Sequence, residues 1–447
     1  MKLEYQILLA VALDLALGDP QWLPHPVRGI GWLALRLETL ARRCIRPARL
    51  AGLVAALAVY SAAGWAAWGS IRLAGWAHPL AADVVSILVI YTTVAARDLA
   101  RHSRVVFHAL AAGDLSEARR RVGAIVGRDT DRLDEAGVVR AAVESVAEST
   151  VDGVTAPLLF AVVGGPVAAL VYRAVNTLDS MFGHQDDRYR EFGWAAARID
   201  DWANYLPARL TAPLVSVAAL LLRQRPAQAL RILARDGRKH ASPNSGLAEA
   251  AMAGALGVQL GGLTYYDGQP FPKPTIGDAV VPLSPRHIRL ANGLMYVTAG
   301  LFLALILAAR VEVIEWSPTL FAHWPAAVGA WGQRTQKECP LPKSARRAAF
   351  GVVHGLLAPK GQPHTSPGQR PGWGRQSTPL ALKGRHKRGM RQDCCALSGR
   401  RRWGLGDPGR CPGLICLGPF GAEDSGSFLF AGRNVAALAW DSWRADR

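Results

Sequence analysis

Three carboxylates, Glu144, Glu148 and Asp152, stand four residues apart just before residues 153–172, a stretch of 20 residues without a charge. On an α-helix they fall within an arc of about 80°. Acids so placed repel one another unless they face water, hold a cation or take a proton from a substrate. Helix capping, for which Ser149-x-x-Asp152 has the spacing, accounts for one or two acids but not for a stripe of three. Beyond the uncharged stretch, "YRAVNTLDS" carries Arg173, Asn176 and Asp179, with Asn176 and Asp179 at i,i+3 and Arg173, Asn176 and Ser180 on one helix face. Arg198, Asp200, Asp201 and Asn204 follow. Hydrogen-bonding groups at this density beside a bilayer are costly unless satisfied, so the stretch reads either as a functional site or as an ordinary solvated loop.

Two further clusters suit anions. "RDGRKHASPNSGLAEA" gathers Arg235, Arg238, Lys239 and His240 next to Ser242, Asn244 and Ser245, and a helix opens at Ser245. Cations and donors at a helix N-terminus make a cradle for phosphate or carboxylate. In "LGDPQWLPHPVRGIGW" three prolines forbid a continuous helix and hold His25 and Arg28 on a stiff turn. That turn reads equally as an anion contact or as an interfacial loop anchored by Trp22 and Trp32. "YYDGQPFPKPTIGD" adds Asp267, Lys273 and Asp278 in a proline-stiffened loop. No G-x-x-x-x-G-K-[ST] occurs, so any ATP is held without a P-loop. The G-x-G-x-x-G at Gly404 has no strand before it and Pro408 within it, and Cys394, Cys395, Cys411 and Cys416 with His386 match no common zinc spacing.

The elements that must position these groups are helical and apolar. Half of the 447 residues are hydrophobic but only 8% aromatic, and the net charge of +18 divides into +7 over residues 1–310 and +11 beyond. Residues 50–71, 153–172 and 290–309 are uncharged for 20 residues or more, the length a bilayer core requires. Residues 84–96 and 210–222 are shorter candidates. Residues 97–140, with nine Arg and seven acids, read as amphipathic helices; Asp114 is a predicted N-cap with Glu117 three residues on. The basic stretch 223–240 is a positive-inside signal, and the Gly- and Ala-rich stretch 241–266, with Glu249 its one acid, suits close helix packing. One Cys in the first 310 residues argues against a disulfide framework, and the absence there of interleaved aromatic and basic residues argues against nucleic acid. The N-terminal apolar stretch, interrupted by Asp14, reads as an uncleaved membrane-associated helix. The expected fold is all-α: a multi-pass membrane helix bundle over residues 1–310, with amphipathic interfacial helices. The Pro-, Gly- and Arg-rich segment 311–447 is expected to be a disordered tail.

A straight helix over 153–172 would put the acids and Arg173–Asp179 on opposite sides of the membrane. Gly164-Gly165-Pro166 lies near its midpoint, and each half is too short to cross alone. The predicted form is a broken or re-entrant helix that returns both polar ends to one cavity.

The motifs "GDPQWLPHPVRGIG", "ESVAESTVDGVTAPLLF", "YRAVNTLDSMFGH", "RYREFGWAAARIDDWANYLPARLTA", "RDGRKHASPNSGLAEAAMAGALGVQLGG" and "YYDGQPFPKPTIGD" resemble those of the CobD/CbiB family of cobalamin biosynthesis, over roughly residues 3–310. The resemblance implies a multi-pass inner-membrane enzyme that joins aminopropanol or its phosphate to the f-side-chain carboxylate of adenosylcobyric acid in an ATP-consuming amide ligation. Its implied partners are these substrates, membrane lipid and other corrin-pathway enzymes, with no nucleic acid. The chemistry then suggests roles. Glu144, Glu148 and Asp179 would be catalytic, and Glu148 and Asp152 would hold Mg²⁺. His25, Arg28, Arg173, Asn176, Arg238, Lys239, His240 and Asn244 would bind substrate. A membrane transporter and a non-catalytic scaffold for corrin intermediates are the alternatives.

Overall fold

The structure, a computed structural model, describes residues 1–316 apart from 21–24, 185 and 267, with side chains to residue 312. The expected disordered tail, the Gly404 motif and the cysteine group lie outside the described residues. Thirteen helices and one two-stranded ribbon occur among those described. Four stretches are long and apolar enough to cross a membrane: Ala48–Ala77, Pro79–Ala111, Glu135–Phe182 and Arg286–Glu312. They form the expected multi-pass membrane helix bundle.

Helices α1 (Leu3–Leu17), α2 (Pro26–Cys44), α3 (Ala48–Ala77) and α4 (Pro79–Tyr91) lead into α5 (Ala96–Ala111) and α6 (Leu115–Gly123). The α6 start is capped as its sequence indicates, with the Glu117 N–H donating to Asp114 Oδ1 at 2.8 Å. The short apolar run 210–222 falls on α10 (Tyr205–Leu221) and its C-cap Leu222, after α9 (Trp194–Ala203). Its 17 residues reach only about 25 Å. α11 (Pro226–Asp236) packs on α12 (Ser245–Leu256), whose Gly and Ala residues are almost all buried, as close packing requires. α13 (Arg286–Trp316) closes the bundle.

The hinge of the architecture is the segment that bears the acids. α7 (Glu135–Thr150) runs through a π-helical turn, Val151–Thr155, into α8 (Ala156–Phe182). There is therefore no helix start for Ser149 and Asp152 to cap. Within α8 the backbone leaves helical geometry at Gly164 (φ −133°, ψ 18°) and Gly165 (φ 68°, ψ −161°). The limbs on either side fold back on each other. Tyr172 donates to the Asp152 carbonyl at 3.1 Å and stacks on Phe160 with ring centroids 4.9 Å apart. Residues 152 and 172 would be about 30 Å apart on a straight helix. Both polar ends thus return to one side, and Arg310 clasps the far end, donating to Val162 O at 2.7 Å and Glu4 Oε1 at 2.8 Å. Gly165 occupies a region open only to glycine. Gly165→Ala meets no atom but is strained, and is expected to lower stability by roughly 1–3 kcal/mol, read as a fall in the unfolding midpoint in detergent.

The fold is all-α as expected, with one small β element added to it. β1 (Leu260–Tyr266) and β2 (Gln269–Ile276) form an antiparallel ribbon where the prolines suggest an irregular loop. Pro270, Pro272 and Pro274 are two apart, so their missing N–H groups all belong to the ribbon's outer edge. The N–H groups of Phe271, Lys273 and Thr275 remain for pairing with β1.

Candidate functional site

The two polar ends of the folded-back helix open on a cavity of about 470 Å³. Glu144, Ser145 and Glu148 line it from α7, and Asp179, Ser180, Gly183 and His184 from the end of α8 and beyond. Arg128 enters from the loop before α7, His240 from the loop before α12, and Glu249 from α12 itself. Tyr266, Phe271 and Lys273 come from the ribbon. Glu144, Glu148, Asp179 and His240, far apart in sequence, therefore share one wall-to-wall space.

The carboxylates differ in their surroundings. Glu144 and Arg128, each side chain 7% exposed, form a buried ion pair, and Glu144 Oε1 also accepts the Gly261 N–H at 2.7 Å. Both oxygens are occupied, so Glu144 fixes the loop and the ribbon rather than standing ready as a base. Glu148 accepts from Ser245 Oγ at 2.9 Å. Glu249 is buried, with His240 Nε2 at 3.9 Å. Burial, and then the negative Glu144 and Glu148, push its carboxyl well above the usual carboxylate range. His240 accepts the Ser242 N–H on Nδ1 at 3.0 Å, which leaves Nε2 as the protonated nitrogen on the Glu249 side.

The remaining predicted residues are placed elsewhere. Asp152 does not line the cavity, because the π-helical turn breaks the 100° spacing that would continue the stripe. His25 and Arg173 meet at a second cavity of about 10 Å³, beside Asp19. That volume admits one water molecule. His25 Nδ1 accepts the Val27 N–H at 3.2 Å and caps α2, and its Nε2 lies 3.4 Å from Asp19 Oδ2. Burial, with the nearby Arg173 and Arg28 charges, lowers its pKa to about 3, so His25 is neutral and supplies no cation. Arg28 acts on this second group. Arg173 is 2% exposed, and its Nε and Nη1 have no hydrogen-bond partner among the described residues. Asn176 donates to Asp200 at 3.4 Å in a buried network with Asn204 and Tyr172. Asn244 ties its loop to the α9–α10 region, donating to Asp201 O at 2.8 Å and accepting from Arg209 at 3.2 Å.

The cation cluster is mostly internal. The fully buried Asp236 carboxylate takes Arg235 at 2.7 and 2.8 Å, Lys239 Nζ at 2.7 Å and the Gly277 N–H at 2.8 Å. Arg235 continues to Asp278 at 2.8 Å. Arg238 is exposed, and neither it nor Lys239 lines the cavity. The Arg235 hydrogen bonds, opposed by burial and aided by Lys239 and Gly277, hold Asp236 well below the usual carboxylate range. A depressed folded pKa stabilises above the unfolded value near 4, and the gain is lost as pH falls through the lower folded value. Asp236→Asn is expected to cost roughly 2 kcal/mol at neutral pH. It should also flatten the acid limb of the stability curve, read from unfolding midpoints between about pH 3 and about pH 7.

Sequence reading did not assign Arg128, Glu249, His184, Tyr266, Phe271 or Lys273 to the site. Glu249 had a signal: a lone acid in a helix of small apolar residues is costly unless it faces a polar cavity. Lys273 had one also, as the one cation of the proline-rich stretch. Arg128 had none, since its partner is 16 residues away.

Fold and site together define a helical membrane protein that keeps a charged cavity at the paired polar ends of a folded-back helix. Residues 7–295 match the family described as CobD/Cbib protein. A cobalamin biosynthesis protein CobD of Geobacter metallireducens is 53% identical over 308 residues, covering 69% of this chain and 96% of that protein. A Klebsiella pneumoniae CobD is 46% identical over 309 residues, covering 68% and 97%. A Salmonella typhimurium cobalamin biosynthesis protein CbiB is 46% identical over 305 residues, covering 68% and 96%. No solved structure matches. The chain belongs to the CobD/CbiB family, as its motifs imply, and its role lies in cobalamin biosynthesis.

Proposed function

We propose that the chain is an amide-forming ligase of the cell inner membrane. It joins aminopropanol or its phosphate to the f-side-chain carboxylate of adenosylcobyric acid, with ATP consumed, to give adenosylcobinamide or its phosphate. The observation that carries this reading is the single cavity in which Glu148, Glu249 and Asp179 face Arg128, Lys273 and His240. Carboxylates there can take a proton, and cations can hold phosphoryl oxygens. The volume suits a nucleotide tail or a small amine, so the corrin ring stays outside and only its side chain enters.

A carboxylate and an ammonium form no amide without activation. In the proposed reaction a substrate carboxylate oxygen attacks the terminal phosphorus of ATP, and ADP leaves. The amine gives up a proton and attacks the acyl carbon, the carbon–oxygen bond to phosphate breaks, and inorganic phosphate departs. Glu148, oriented by Ser245, is the proposed proton acceptor. Lys273 and protonated Nε2 of His240 are placed to bind phosphoryl oxygens. Asp179, which also lines the cavity, is proposed to orient the amine.

Mg²⁺ fits the donor set. Among the described residues no three His, Cys, Asp or Glu side chains converge as a ready-made site. Mg²⁺ bound with a nucleotide needs only one or two carboxylates besides phosphate and water, and Glu148 with Asp179 or Glu249 would hold it. When bound, Mg²⁺ neutralises phosphoryl charge. Asp152 drops out of this proposal because it lies away from the cavity.

The test is the full chain purified in detergent and given adenosylcobyric acid, ATP and either amine. The expected result is a product with the mass of the amide and one phosphate per amide. Corrin binding without amide would favour the scaffold, and corrin movement across vesicles without ATP cleavage would favour the transporter.

A further inference from the structure

The ribbon is the one β element among the described residues, and its two faces differ in what they carry. Side chains two apart on a strand share a face. Phe271 and Lys273 therefore point the same way. The register sets Phe271 opposite Thr264 and Lys273 opposite Gly262, which puts Tyr266, two residues beyond Thr264, on that face as well. All three line the large cavity. Tyr266 and Phe271 meet edge to face at 5.7 Å, yet Phe271 remains 53% exposed. An open aromatic surface at the rim of a charged cavity is an unfinished contact.

Lys273 is also spare. Among the described residues it makes no hydrogen bond and no ion pair, and acts on Glu144 and Glu249 only through space. Opposite it Gly262 (φ +84°) presents no side chain, and the Arg140 guanidinium lies 3.5 Å from where a Cβ would stand, so a second cation borders the same strand position. The face is held in place at both ends. Gly261 N–H donates to Glu144 at one end. At the other, Gly268 N–H donates to Asp129 Oδ2 at 2.7 Å, and Asp129 N–H donates to Tyr265 O at 2.9 Å. An isolated two-stranded ribbon is marginally stable, so these ties to the helical body fix where its side chains stand.

We propose that the inner face of the ribbon recognises the nucleoside triphosphate: Tyr266 and Phe271 take the flat base, and Lys273 takes a phosphoryl oxygen. The inference rests on the ATP-dependent reading above and adds to it where the nucleotide sits. The order along the strand is that of the ligand, an aromatic end followed by an anionic one, with side-chain origins about 7 Å apart before the reach of the lysine is added. Without a P-loop, side-chain cations are left to hold the phosphates, and Lys273 is one with no hydrogen-bond or ion-pair partner among the described residues.

The experiment measures binding of a non-hydrolysable ATP analogue and of inorganic tripolyphosphate, each with Mg²⁺, to the full chain in detergent. Phe271→Ala and Tyr266→Ala are each expected to weaken the analogue roughly tenfold and leave tripolyphosphate unchanged. Lys273→Met is expected to weaken both ligands. Leu263→Ala, on the outer face, should change neither, and unfolding midpoints establish that each variant is folded. If the analogue binds the wild type but all three inner-face variants match it, or if they raise only the KM for the corrin acid, the ribbon is not the nucleotide wall and the ligase reading stands. If the wild type binds neither ligand, the ATP-dependent reading fails and this assignment fails with it.

Discussion

Glu148→Gln protein is expected to fold normally and to form amide roughly a thousandfold more slowly than wild type. Glutamine has the shape of glutamate and keeps an oxygen for the Ser245 hydroxyl, which donates to Glu148 Oε1 at 2.9 Å. Packing around α7 and α12 is then conserved, and the unfolding midpoint should move little. What disappears is the charge. Accepting the amine proton requires it, and so does holding Mg²⁺ against the phosphates. The two roles separate by a second measurement. A lost metal ligand is partly offset by raising Mg²⁺, whereas a lost base is not. Substrate binding measured without turnover should stay near wild type if Glu148 acts on the proton. Wild-type rates of amide formation in this variant would remove Glu148 from the mechanism.

The contrast between what the sequence disclosed and what it hid follows from the range of the forces involved. Local chemistry was readable. Asp114 caps α6, and Gly164-Gly165-Pro166 breaks the apolar run so that its polar ends meet. Both depend on a few adjacent residues. The cation cluster at 235–240 misled because its partners are not all local. Asp236 is near in sequence and holds both Arg235 and Lys239, but Asp278, which also takes Arg235, and Gly277, whose N–H completes the Asp236 site, arrive from some forty residues away. Asp152 misled for a finer reason. Spacing of four residues marks one face only while the helix keeps 3.6 residues per turn, and the π-helical turn at Val151–Thr155 does not. The ribbon was hidden by its prolines, which signal a loop by composition and an edge strand only when their spacing of two is weighed against the direction of each N–H. Glu249 and Lys273 reach the cavity through elements whose packing no short window contains. His25 and Arg173, read from separate motifs, do come together, but at a second small cavity.

Arg128→Met is expected to lower stability by about 3–5 kcal/mol, the cost of leaving a buried charge without its partner. Arg128 and Glu144 are each 7% exposed at the side chain, so water does little to screen the pair. Methionine fills much of the arginine volume, which confines the loss to charge and hydrogen bonding. The stranded Glu144 keeps the Gly261 N–H at 2.7 Å, and Lys273 acts on it only through space. It must then take up a proton or draw toward water, and either response strains the ribbon base that it anchors. Changing Glu144 as well should reverse part of the damage. Glu144→Gln in the Arg128→Met background removes the orphaned charge while an amide oxygen still receives the Gly261 N–H. The double variant is therefore expected to be more stable than Arg128→Met alone, with a coupling of roughly 1–3 kcal/mol between the two positions. Thermal unfolding of wild type, both single variants and the double variant in one detergent supplies the cycle. Strictly additive losses would show that the two side chains do not depend on each other, and Glu144 would then be free to serve as the base that its position in the cavity otherwise suggests.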